Sequence, residues 1–115
     1  MGNIVIRAIQ GPNGAAPVSL IGTGTRVNAT AATASTAEAA VPAAAAGNYC
    51  RVLTQGPIAI RFGATGVGAA AADNTSTFLP AGEHIFKLAA TDTHFRVIRS
   101  IATDALLQLE SLTSQ

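Results

Sequence analysis

The second half of the chain alternates apolar and polar residues in short runs, each closed by a turn former. In "NYCRVLT" (48–54) the alternation puts Cys50 and Val52 on one face, and Gln55, Gly56 and Pro57 end the run. "IAIRF" (58–62) sets Ile58, Ile60 and Phe62 on one side and Ala59 and Arg61 on the other. "STFLP" stops at Pro80, "AGEHIFKLA" takes up the pattern around Gly82, and "HFRVIRSI" and "ALLQLESL" follow, separated by "ATD". Short strands recurring about every 8–12 residues predict an all-β, antiparallel β-sandwich of jelly-roll-like type, with seven or eight strands. Its expected inward-facing residues are Ile60, Phe62, Phe86, Leu88, Val97, Leu107 and Leu109.

The first half is less regular. Alanine in "TRVNATAATASTAEAAVP" (25–42) favours a helix. Thr25, Thr30, Thr33 and Thr36 recur there, however, without a stripe of large apolar residues, so a helix would gain little from packing. One or two extended strands fit better, while strand, loop and helix all stay open for residues 29–46. A weak echo links "VNATAATASTAEAAVPAAAAGNYCRV" to "VGAAAADNTSTFLPAGEHIFKL". Each passes from Val through alanines and a Ser-Thr pair to an apolar-Pro-Ala turn and a strand, as two related hairpins would.

Ahead of this domain (25–115), residues 1–24 read as an extended N-terminal arm. "NIVIRAI" is β-like and "QGPNGAAP" is a loop rich in turn formers. Ile4, Val5, Ile6 and Ile9, with Arg7 among them, form an apolar terminal segment that aggregates unless a sheet edge covers it. An added strand satisfies such an edge along its length. That edge can belong to the same subunit, a neighbouring copy or another protein; the reach of the loop favours an intermolecular one, which makes these five residues the candidate partner-binding set.

Composition sharpens the picture. Charged residues are 11% of the 115, against roughly 25% in an ordinary domain, and the 49% hydrophobic share is largely alanine with few aromatics. A surface of Ala, Thr, Ser and Gly suits a chain covered by neighbours in a homo-oligomer, dimer or trimer. The net charge of +1 comes from dispersed basic residues, and Arg96 and Arg99 fall on opposite faces of one strand. That is no phosphate-neutralising stripe, so no nucleic-acid partner is expected. No run approaches the roughly 20 apolar residues that span a bilayer, and no secretory signal is apparent, so no membrane partner is expected and synthesis in a cytosol is.

Candidate chemistry is sparse. "IAIRFGATGVGAA" looks like the start of a dinucleotide unit, but Arg61 interrupts the strand, "NTST" follows the alanines at once, and too little chain remains for the fold. GATGVG is therefore read as a hairpin loop in which glycine permits positive φ. Cys50 stands alone and reads as a buried structural thiol. His84, His94 and Asp92 are the one conceivable metal set, but the histidines sit on different predicted strands and read as packed or exposed residues. There is no G-x-S-x-G elbow, no paired carboxylate, and no catalytic, cofactor or metal site is expected.

The order "RVLTQGPIAIRFG", an Ala/Thr-rich strand, "FLPAGEHIFKL", "THFRVI" and a final strand resembles small structural proteins of tailed bacteriophages. The likeness covers roughly residues 25–112 and rests on "RFG" ending one strand and "LPAG" before another. It implies a non-enzymatic capsid decoration, or cement, protein: a virion component on the capsid surface, made in the bacterial cytoplasm, that binds the major capsid protein and staples neighbouring subunits. A neck, tail or fibre-attachment module is the alternative it leaves, with a small GATGVG nucleotide binder as a remote third.

Overall fold

The computed structural model describes the backbone of residues 5–9 and 18–114 and the side chains of residues 20–113. The described residues form nine strands: β1 (Val5–Ile9), β2 (Val18–Ala31), β3 (Ala39–Ala40), β4 (Tyr49–Thr54), β5 (Ile58–Gly63), β6 (Thr77–Leu79), β7 (Gly82–Lys87), β8 (His94–Arg99) and β9 (Ala105–Ser114). No helix occurs among the described residues. The Ala/Thr-rich stretch stays extended through Ala31 and returns to a strand only at β3.

Two antiparallel sheets result, one of five strands in the order β1-β2-β9-β4-β7 and one of four in the order β3-β8-β5-β6. From β2 onward every connection crosses from one sheet to the other, except β5 to β6. Eight strands, β2 to β9, thus make a double-sheet jelly roll, and β1 extends one edge of it. Full closure of a barrel is not needed, because each sheet hides its apolar face on the other.

The core follows from the alternation. Cys50 and Val52 of β4 and Leu107 and Leu109 of β9 face Ile58 and Ile60 of β5, Leu79 of β6, and Phe95 and Val97 of β8. Val41, Ala45 and Leu88 close it from the connections. Thr54 is buried at the end of β4 and meets its hydrogen-bond need by donating to the Gly56 carbonyl at 2.6 Å.

Several expectations are corrected here. Phe95 is the largest fully buried side chain, whereas Phe62 and Phe86 are only partly buried. Those two pack on each other at the rim, with ring centroids 5.7 Å apart, because Phe62 lies near the end of β5 and Phe86 on the edge strand β7. Ala59 does not face solvent as Arg61 does. It is fully buried, a small side chain flanked in register by Phe78 and Ile98. The echoed segments are crossings, not hairpins. β3 to β4 and β6 to β7 each pass from an edge of the four-stranded sheet, through a proline, to adjacent strands of the other sheet. The division between residues 24 and 25 lies inside the continuous β2, at an irregularity of register between Gly22 and Arg26.

Candidate interaction surfaces

The arm pairs at home. β1 runs antiparallel to β2 of the same chain, with Val5 opposite Ile21, Ala8 opposite Ser19 and Ile9 opposite Val18. Of the edges open to it, β2 of the same chain takes one side of β1. Ile4 lies outside the described residues; Val5, Ile6, Arg7 and Ile9 belong to β1, and their side chains lie outside them too. Among the described residues, nothing pairs with the far side of β1, which leaves a row of backbone groups at the sheet edge.

At the far end of β2 from that pairing, the outer face of the five-stranded sheet carries a shallow groove of about 440 Å³ across β2, β9 and β4. Asn28, Thr30, Leu53, Gln55, Leu106 and Gln108 line it, and no lining residue is charged. Leu106 is 55% exposed and Leu53 41%. Gln108 donates from Nε2 to Asn28 Oδ1 at 2.9 Å, fixing the floor between the two leucines. Phe78 and Ile101 are further large apolar side chains left exposed, on β6 and on the loop after β8.

One register row from that floor lies a buried ion cluster that sequence reasoning missed. Arg26, Glu110 and Arg51 are cross-strand partners on β2, β9 and β4. Glu110 is buried, its carboxylate 2.9 Å from Arg51 Nη2 and 3.3 Å from Arg26 Nη2, and it also accepts the Gly24 N–H at 3.1 Å. Glu83 adds a longer contact to Arg51, at 3.8 Å. A buried charge persists only when it is paired and hydrogen-bonded in this way. Read alone, "LQLESL" shows only an outward glutamate.

The outer face of the four-stranded sheet treats its arginines differently. Arg61 on β5 and Arg96 on β8 are direct register partners. Arg96 donates from Nε to the Thr36 carbonyl at 2.9 Å and from Nη1 to the Val67 carbonyl at 3.3 Å; Arg61 donates from Nη1 to the Ala69 carbonyl at 3.4 Å. The Val67 and Ala69 contacts hold the loop after β5 against the sheet, and the Thr36 contact holds the β2–β3 connection. The loop joins the paired strands β5 and β6, so it is a long hairpin connection. Gly66 takes the positive φ, at 89°, while Gly68 leaves room for the Arg61 guanidinium: a Cβ there would lie 2.7 Å from Nη1. The Gly66 N–H donates to the Glu38 carboxylate, so an acid of the same chain already occupies an amide that a nucleotide phosphate would need.

The titratable residues named from sequence are separated. His84 is on β7 of one sheet, its Nε2 2.8 Å from the Pro80 carbonyl; His94 is on β8 of the other, its Nδ1 2.8 Å from Thr93 Oγ1. Asp92 accepts the Ala89 N–H at 3.0 Å. Cys50 is fully buried beside Val52, and burial pushes its thiol from an ordinary 9.0 up to about 12, which suppresses the thiolate a nucleophile requires.

No protein-family model and no curated protein matches the chain. Among solved structures, it is similar to the Drosophila melanogaster CENP-C cupin domain, at 10% identity and a TM-score of 0.45, over 98% of this chain and 75% of that one. A Drosophila melanogaster CENP-C structure bound to CAL1 is similar at 11% identity and a TM-score of 0.44, over 98% of this chain and 81% of that one. The fold assignment rests on the strand order itself.

Proposed function

We propose that the protein is a non-enzymatic virion structural protein of a tailed bacteriophage, a decoration protein that sits on the capsid exterior and bridges neighbouring capsid subunits. Its partners in this reading are the major capsid protein and further copies of itself. The observation that carries it is the outer face of the five-stranded sheet. Leu53 and Leu106 stand exposed there above an uncharged floor of Asn28, Gln55 and Gln108. Apolar anchors set among neutral hydrogen-bonding groups suit a protein partner, since interface cores are depleted of charge. The low overall charge and the open edge beside β1 support the same reading.

Quantitative mass spectrometry of purified particles tests it. A copy number comparable with that of the capsid subunit is the expected result. A number that fits a single ring moves the protein to the neck or tail, and absence from the particle overturns the reading.

A further inference from the structure

On the two central strands of the four-stranded sheet, Arg61 and Arg96 sit directly opposite each other on the outer face. Like charges in that position destabilise a strand pair. Both side chains are only partly exposed, so solvent screens them less than it would a free surface pair. Neither makes an ion pair among the described residues; the contacts to Thr36, Val67 and Ala69 are all to carbonyls. Glu38 accepts the Gly66 N–H, and Asp73, which acts on Arg61 only through its field, accepts from the Thr75 N–H at 2.9 Å and hydroxyl at 2.6 Å. His94, one step along the same face opposite Gly63, brings no negative charge.

We propose that the Arg61–Arg96 pair, beneath the 63–70 loop, binds a small oxyanion. A guanidinium carries a fan of N–H donors larger than these carbonyl contacts consume, in a fork that matches the oxygens of a phosphate. An anion bridging the two forks removes their mutual repulsion and ties β5 to β8 across the face. Arg26 and Arg51 on the opposite sheet are each ion-paired with the Glu110 carboxylate that lies between them. The site is independent of the role in a virion, so either can fail without the other.

Thermal unfolding in sodium phosphate, against sodium chloride of equal ionic strength, is the test. A saturable phosphate-specific rise is expected, reaching about 5 °C at tenfold over the dissociation constant for a domain of this size. Arg61→Gln and Arg96→Gln should each abolish it, and Arg99→Gln, which alters only an exposed pair with Asp104, should keep it. Should a glutamine variant fail to fold, Arg61→Lys retains the charge without the fork and should lower the response severalfold. Equal shifts in phosphate and chloride, or a full phosphate shift in Arg61→Gln or Arg61→Lys, overturn the proposal.

Discussion

The two outer faces of the sandwich hold the same kind of side chain under opposite conditions. On the five-stranded sheet, Arg26 and Arg51 flank one buried carboxylate, Glu110, which three donors satisfy. On the four-stranded sheet, Arg61 and Arg96 face each other and lean on loop carbonyls. The first arrangement is closed: a carboxylate between the two arginines balances their charge. The second is open, and its arginines act as clamps that hold connecting loops on a sheet. An arginine on a strand therefore says little until the residue across from it is known.

The comparison can be broken from the inside first. Phe95→Ala opens a cavity beneath the Arg61–Arg96 face and should cost about 3–5 kcal/mol in denaturant unfolding. Phe62→Ala, at the half-covered rim, should cost less than half as much. Equal losses would mean that the rim is as tightly packed as the centre.

Glu110→Gln comes next. It takes the shared carboxylate from Arg26 and Arg51 and should cost about 3 kcal/mol, near the lower end for breaking a buried pair, because both arginines keep some water. Arg61→Gln on the opposite face loses one long carbonyl contact while relieving repulsion, and should stay within about 1 kcal/mol. Similar values for the two would erase the distinction between a closed and an open arrangement.

A pH series measures how dry the space between the sheets is. The folded Cys50 thiol ionises near 12 and the unfolded one near 9.0, so below 9.0 both states hold the proton and stability does not change on this account. Above 9.0 the unfolded state loses its proton first, and stability falls by up to about 1.4 kcal/mol per pH unit until the folded thiol ionises. Cys50→Ala should flatten that slope between pH 9 and 11 relative to the parent protein. An identical slope would show that water reaches the thiol. The smallest effect belongs to Arg99 and Asp104, 2.8 Å apart with the aspartate side chain 56% exposed: Arg99→Ala should change stability by less than about 1 kcal/mol and become indistinguishable from the parent in high salt.

Local alternation determined much of this protein. Cys50, Val52, Ile58, Ile60, Val97, Leu107 and Leu109 all lie where period two places them, because a strand must turn every second side chain toward the other sheet. Phe95 is legible by the same rule, being in phase with Val97, but the pattern offers Phe62 and Phe86 equally, and no local pattern encodes their distance from the middle of the sandwich. Tertiary structure decided what depends on neighbours remote in sequence. The pairing of β2 with β9 and β9 with β4 turned an outward-pointing Glu110 into a buried ion between two arginines. The pairing of β5 with β8 set Arg61 against Arg96, and β1 found its edge on β2 of its own chain. Periodicity fixes which face a residue takes, since that is a property of one strand. Which charge stands across from it is a property of two, and only the folded sheet brings them together.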